Sequence, residues 1–293
     1  MTGMPTTSST SGPSTRERMR RAPVETGLGM VPDPASTAER IRLRAPITDG
    51  VRTDGGRLLP VLPALLADSG IGYLVYSTAK LVAGAPTVDL RLDLTGVPAP
   101  GARWLTADLT LLHLDDEIGI GRAEMYDDTG VPVAHAVVTM ALTGVPDRPG
   151  GLASGGAAVD AGSGGGPDDD TDFRSELPPF DPARLVPDNL ESDGDDALFT
   201  PGPSTVNLNG TTHGAVLTGI GAAAQARHLA DPTARPLALT VDFLRPVQVD
   251  APLRVRTETV RDGRRFWTLR TELLLPDGRP AVRVTGGGIR RAA

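Results

Sequence analysis

The sequence predicts an α+β protein made of two similar units, each a helix followed by antiparallel strands that wrap around it. Three observations predict it. An apolar stretch long enough for a helix, Leu58–Tyr76, is followed by four strand-like runs. The same succession recurs about 150 residues later. Between the two lies a Gly- and Asp-rich segment, residues 148–172, with the composition of a flexible linker. A lone unit of this kind leaves one sheet edge and one sheet face open, and a second copy alongside covers them and makes the sheet continuous.

The repeat is collinear. Gly56 matches Gly210, Val88-Asp89 matches Val241-Asp242, Arg122-Ala-Glu124 matches Arg270-Thr-Glu272, and Gly130-Val-Pro132 matches Gly278-Arg-Pro280. The spacing drifts because the first unit carries extra residues between Leu90 and Leu105 compared with Phe243 and Leu253. The units are placed at 39–147 and 173–293, behind a Ser/Thr/Pro/Gly-rich segment, residues 1–38, that buries too little to order itself and reads as a disordered tail.

Each element has a local reason. Pro60 and Pro63 fit only near the start of the first helix, where a missing N–H costs little. Gly70 and Gly72 let strands pack closely on it. Strands are predicted at Thr87–Leu94, Trp104–Leu114, Ile118–Tyr126 and Val131–Leu142, with Asp127–Gly130 turning between the last two. The second unit repeats this with a helix from Thr212 to Leu229. Its strands are predicted at Leu237–Leu244, Leu253–Arg261, Arg265–Leu275 and Pro280–Gly287, with Pro276-Asp-Gly278 as hairpin turn.

Composition excludes several functions. With no cysteine among 293 residues there is no disulfide, thiolate nucleophile or Cys metal site. A net charge of −7, with no basic cluster beyond Arg16–Arg21, argues against nucleic acid. No apolar run is long enough to span a membrane, and the N-terminus lacks a secretory core segment. A soluble, cytoplasmic protein is expected.

The segment Asn207-Leu-Asn-Gly210-Thr-Thr-His213-Gly214-Ala215 carries the chemistry. With Thr240-Val-Asp-Phe-Leu-Arg-Pro246 and Asp262-Gly-Arg264, it resembles PaaI-like hotdog-fold acyl-CoA thioesterases over nearly the whole second unit. Their helix start reads Asn-x-x-Gly-x-x-His-Gly-Gly, with an Asp nine residues after the His. Here Ala215 replaces the second Gly and Ala222 the Asp. The first unit resembles the family more weakly and is deficient in the opposite way. Asp68 stands at the helix carboxylate position, with Thr87-Val-Asp-Leu90 at the right distance beyond, but Thr53, Leu59 and Pro60 replace the Asn, His and first Gly of the His-Gly-Gly triplet.

The resemblance implies two tandem hotdog domains forming a pseudo-dimer, with the carboxylate of one facing the glycine helix start of the other. Asp68 would then meet Asn207, His213 and Gly214. The opposite site would pair Ala222 with Leu59 and Pro60, without carboxylate and with no N–H at Pro60. One competent and one dead site are expected. Gly214 is the oxyanion donor, because a first-turn N–H lacks an intrahelical partner and only glycine lets a carbonyl approach closely. One such donor is worth roughly 3–4 kcal/mol in a transition state. Asp68 acts as general base on water or as nucleophile. Thr87 corresponds to a hydroxyl residue that assists water. Asn207 either polarises the carbonyl or holds the loop, and His213 shapes the loop.

The plainer alternatives are a solvent-facing or Arg-paired Asp68, a non-catalytic turn at His213-Gly214 and a simple loop cap at Asn207. His113, His135 and His228 read as structural, Asp115-Asp-Glu117 and Asp168-Asp-Asp170 as turn and linker charges, and Ser69 lacks the flanking glycines of a nucleophile elbow. The expected reaction is hydrolysis of acyl-CoA or related acyl thioesters. The alternatives are an enoyl-CoA hydratase or dehydratase, using His213 and Asp68, and a non-catalytic acyl-CoA sensor. No cofactor or metal is expected, CoA entering as part of the substrate, with Arg245, Arg261, Arg264 and Arg265 as phosphate partners to choose among. Leu65, Leu66, Ile220 and Ala223 are expected to line the acyl tunnel. Fused units of this kind pair again, so a homodimer is expected.

Overall fold

A computed structural model describes residues 22–37, 40–81, 84–143, 177–207 and 209–290. Among the described residues, twelve strands form one sheet. In chain order they are β1 (Val31–Pro32), β2 (Arg42–Pro46), β3 (Thr87–Leu94), β4 (Trp104–Leu114), β5 (Ile118–Asp127) and β6 (Pro132–Ala141), then β7 (Glu191–Asp193), β8 (Asp196–Phe199), β9 (Ala234–Phe243), β10 (Leu253–Asp262), β11 (Phe266–Leu274) and β12 (Pro280–Arg290). Their spatial order is β1-β2-β4-β5-β6-β3-β9-β12-β11-β10-β8-β7. The connectivity therefore reads the same from either edge. All neighbours are antiparallel, and the centre is the β3–β9 pair, where Asp89 faces Asp242 and Leu92 faces Leu239. Asp89 and Asp242 are the residues that the repeat makes equivalent.

Three α-helices among the described residues accompany the sheet: α1 (Pro23–Gly27), α2 (Val61–Thr78) and α3 (Gly214–Leu229). Pro60 is the N-cap of α2 and Pro63 its third residue, both within the first turn, whose N–H groups have no helical acceptor anyway. Gly70 and Gly72 admit the sheet: a Cβ on Gly70 would stand 2.9 Å from Leu109 Cδ1, and one on Gly72 3.0 Å from Met140 Cε. The two long helices touch, since a Cβ on Gly219 would lie 3.1 Å from Val61 Cβ. Their inward faces (Leu62, Leu65, Leu66 and Ile71 on α2; Val216 and Ile220 on α3) are fully buried.

The loops before the two helices are built alike. Arg52 bridges Leu58, and Val206 bridges Thr212. The Thr53 N–H donates to Arg57 O at 2.8 Å, and the Asn207 N–H to Thr211 O at 2.7 Å. The Leu59 N–H reaches Val51 O, and the His213 N–H reaches Thr205 O, both at 2.8 Å. Each loop turns on a glycine in the left-handed region, Gly56 at φ 73° and Gly210 at φ 79°. The constant offset makes Leu59 the counterpart of His213 and Ala222 that of Asp68.

The eight long strands lie where the alternation places them, to within a few residues. The expectation of a disordered tail over 1–38 is corrected for residues 22–37. Val24, Leu28 and Met30 are buried, α1 packs its Gly27 on the Phe180 backbone, and β1 pairs with β2. Spaced by four and two residues amid Pro and Gly, these three apolar side chains show no clear period, yet they close the core. The rest of that segment, Arg16–Arg21 and the stretch Asp168–Asp170 lie outside the described residues.

Candidate active site

A cavity of about 570 Å³ opens beside the start of α3, between the two halves. Met30, Leu43, Met140, Leu217 and Phe243 line its apolar part. Val88, Leu244 and Arg245 are on its exposed side. All five sequence-predicted site residues (Asp68, Thr87, Asn207, His213 and Gly214) line it. Leu65, Leu66, Ile220 and Ala223, expected along the acyl tunnel, do not. They fill the buried region where α2 and α3 pack together and against the sheet.

Asp68 comes from the middle of α2 and is only 7% exposed. Its Oδ1 accepts a hydrogen bond from Thr87 Oγ1 at 2.6 Å, joining helix to central strand. Its Oδ2 lies over Gly214, so closely that a Cβ there would stand 2.5 Å from it and 3.2 Å from Phe243 Cζ. Glycine is thus required at the first residue of α3 to make room for the carboxylate. The Gly214 N–H has no acceptor within its helix, and among the described residues none elsewhere takes it. An uncommitted backbone donor and a buried carboxylate oxygen face one small volume. That arrangement can hold a carbonyl oxygen and a water at once.

His213 is the N-cap of α3, with its Nδ1 accepting from Ala215 N–H at 3.0 Å. An accepting Nδ1 carries no proton, so the ring proton is on Nε2, which meets Glu25 Oε1 at 3.1 Å and Ser69 Oγ at 3.0 Å. Ser69 Oγ in turn donates to Glu25 Oε1 at 2.8 Å. Nδ1 also lies 3.4 Å from Asp68 Oδ2, a contact that becomes an ion pair only in the imidazolium form. Burial pulls the imidazole pKa down, but the charge and hydrogen bond of Glu25, with a smaller effect of Asp68, outweigh it and raise the ring above its ordinary value. Burial likewise pushes the Glu25 carboxyl up, and the His213 charge with the hydrogen bonds from His213 and Ser69 outweighs it, holding Glu25 below the usual carboxylate range.

Asn207 is turned to its own loop. Its Oδ1 accepts from Asn209 N–H at 2.9 Å and Thr211 N–H at 3.1 Å, and its Nδ2 donates to Thr211 Oγ1 at 3.0 Å. It shapes the turn that delivers His213-Gly214. Sequence reasoning misses Glu25 and Ser69. Glu25 sits in a segment without periodicity, and its only signal is the cluster of apolar neighbours around it. Ser69 presents itself in sequence only as a nucleophile without its flanking glycines, and its contact with the His213 ring joins residues 144 positions apart. Of the four arginines considered for CoA phosphates, Arg245 alone lines the cavity, while Arg261 lies over the Phe266 ring. His113, His135 and His228 are held by Asp115, Asp93 and Thr259, away from the cavity. At the counterpart position, Leu59 and Ala222 are packed with the apolar core and bring no carboxylate.

Among the described residues no group of three His, Asp or Glu could hold a metal ion, and no helix is long and apolar enough to cross a membrane.

Residues 203–287 match the acyl-CoA thioesterase N-terminal domain, and residues 2–141 match the acyl-CoA thioesterase C-terminal domain. The two domains thus follow each other here in the reverse of the order in which they are named. No curated protein matches in sequence. Similar solved structures include an acyl-ACP thioesterase from Bacteroides thetaiotaomicron (13% identity, covering 87% of this chain and 100% of that one, TM-score 0.56). They also include the 12:0-ACP thioesterase from Umbellularia californica (11% identity, 86% and 94%, TM-score 0.56). A third is a conserved protein of unknown function with a hot dog fold from Alicyclobacillus acidocaldarius (9% identity, 92% and 98%, TM-score 0.55). At these identities the likeness is one of fold. Matched in both halves by acyl-CoA thioesterase domains, with a large antiparallel sheet like that of hotdog-fold thioesterases, the chain is a thioester hydrolase.

Proposed function

We propose that the chain hydrolyses acyl-CoA thioesters at a single asymmetric site shared between two fused hotdog units of the PaaI-like type. The observation that carries this reading is the contact between Asp68 of the first unit and Gly214 of the second. The thioester carbonyl oxygen takes the Gly214 N–H, and the acyl chain lies along Met30, Leu43 and Met140. Thr87 occupies Asp68 Oδ1, which leaves Oδ2 for the water. Oδ2 accepts the water proton as its oxygen bonds to the carbonyl carbon. The resulting oxyanion is stabilised by the Gly214 donor and the α3 dipole. Collapse breaks the C–S bond, and the departing thiolate takes the proton back from Asp68. Direct attack by Oδ2, through an anhydride that water then opens, uses the same groups.

The hydratase reading needs a histidine nitrogen facing the substrate. Both nitrogens of His213 are engaged, Nδ1 by Ala215 and Nε2 by Glu25 and Ser69, which favours hydrolysis. CoA enters with the substrate, and no bound cofactor is invoked. The protein works in the cytoplasm as a homodimer. Following free-thiol release from aliphatic and aromatic acyl-CoAs tests the reaction. Turnover by wild type that falls at least about 100-fold in Asp68→Asn supports it. Hydration of an enoyl-CoA without thiol release would replace it with the hydratase, and binding without any turnover with a sensor.

A further inference from the structure

We propose that Glu25 is a positioning residue of the hydrolytic site, acting through His213, and that it sets the pH at which Asp68 is free to work. This rests on the reading of Asp68 as the base. Two partners compete for His213 Nδ1. When bare, Nδ1 accepts the Ala215 N–H at 3.0 Å and caps α3. When protonated it can no longer accept, and its nearest acceptor is Asp68 Oδ2 at 3.4 Å, the oxygen assigned to the water. The two partner sets exclude each other. Protonation of the ring therefore removes the cap from the helix that presents Gly214, and engages the catalytic carboxylate.

Glu25 controls which set prevails. It reaches the ring from α1, is 5% exposed, and accepts a hydrogen bond from the Nε2–H, which leaves Nδ1 bare in the neutral ring. Ser69 on α2 ties the Glu25 oxygen in place and touches the same nitrogen. The titratable groups facing the imidazole are Glu25 from α1 and Asp68 from α2; α3, on which it sits, brings only the Ala215 N–H. Charged Glu25 lies nearer to Nε2 than Asp68 does to Nδ1 and dominates the balance. Its charge favours the imidazolium, so it places the acid limb of the activity at a higher pH than Asp68 alone would. Glu25 does this without touching substrate.

The test is an NMR titration of the His213 ring nitrogens and of the Ala215 amide in the whole protein, beside the pH profile of kcat. In wild type the expected result is one common midpoint: Nδ1 gains its proton, the Ala215 amide loses its hydrogen-bonded shift, and kcat falls together. In Glu25→Gln all three midpoints move to lower pH by about one unit, the size expected for loss of a neighbouring charge. Glu25→Asp, which keeps the charge, leaves them nearer wild type. A purely structural Glu25 would lower kcat without moving the midpoints. The proposal is overturned if the Ala215 amide ignores the ring titration in wild type, a measurement that needs no variant, or if the midpoints of Glu25→Gln stay in place. It is also overturned if ring and amide move together while the acid limb of kcat does not follow. Absence of thioester turnover by wild type would instead remove the reading of Asp68, with the ring and amide titrations still reporting on the cap.

Discussion

Asp68 Oδ2, from the middle of one long helix, occupies the space that a side chain on Gly214, at the start of the other, would fill. The two residues belong to different halves of the chain, so the candidate site draws on both.

Gly214→Ala places a methyl group 2.5 Å from Asp68 Oδ2 and 3.2 Å from Phe243 Cζ. At the first position of a helix alanine is well tolerated by the backbone. The carboxylate must therefore move. The expected outcome is a loss of at least about 100-fold in kcat/KM, the scale of a displaced general base, since the Gly214 N–H itself is kept, with urea stability changed by less than about 1 kcal/mol. Parallel kinetics and denaturation on one preparation check both parts.

Thr87→Val removes the hydroxyl that donates to Asp68 Oδ1 but keeps the β-branched shape suited to the strand. Freed of that bond, both carboxylate oxygens compete for the water. A drop in kcat of about 10-fold, with KM little changed, is expected, smaller than the roughly 100- to 10,000-fold of losing the proton-transfer group itself, because Asp68 is still present. Thr87→Ser should recover most of it, since the donor returns.

Ala222→Asp restores a carboxylate at the counterpart of Asp68. Leu59 and Pro60 still stand where His213 and Gly214 stand in the other site, and Pro60 has no N–H for an oxyanion. No gain in kcat per chain is expected. In the background of Asp68→Asn, Ala222→Asp should likewise rescue nothing. A doubled kcat would show that both sites can be made to work.

The Glu25–His213 pair gives the stability a bell-shaped pH dependence. Glu25 is lowered in the folded state, so its contribution is present above the ordinary carboxylate pKa and is lost as pH falls through the folded value. His213 is raised, so its contribution is full below the ordinary imidazole pKa and is lost as pH rises through the folded value. The stability difference between wild type and Glu25→Gln should be largest from about pH 4.3 to about pH 6.5 and shrink on either side. At its largest it should be on the order of 3 kcal/mol, because one partner of a buried pair is left behind. Urea midpoints measured across pH 3 to 9 (about six points) would trace it.

Much of this architecture is legible in the sequence, for identifiable reasons. The strands from Thr87 to Ala141 and from Ala234 to Arg290 largely alternate and are punctuated by Gly and Pro. Both helices are long apolar stretches with a proline or a histidine–glycine start. The repeat points to the candidate site as well, because a carboxylate absent at Ala222 and present at Asp68 is what a pocket shared by the halves would require. What is not legible is short or non-local. β1, β2, β7 and β8 have two to five residues each, too few for a period to show. Glu25 is 188 positions from His213, and nothing in a Pro/Gly-rich segment indicates which distant ring it will meet. Leu65 and Ile220 read as acyl-tunnel residues because apolar helix faces look alike in sequence, whether they pack against a second helix or against a ligand.

Every step of the proposed hydrolysis requires one thioester held between Asp68 and Gly214. A crystal structure of Asp68→Asn with an acyl-CoA bound would observe this contact itself. The predicted result is a thioester carbonyl oxygen within hydrogen-bond distance of the Gly214 N–H, its carbon facing the substituted amide on α2 and its acyl chain on Met30 and Leu43. Density for the thioester at Leu59 and Pro60, or anywhere that leaves the Gly214 N–H without a carbonyl, would contradict it.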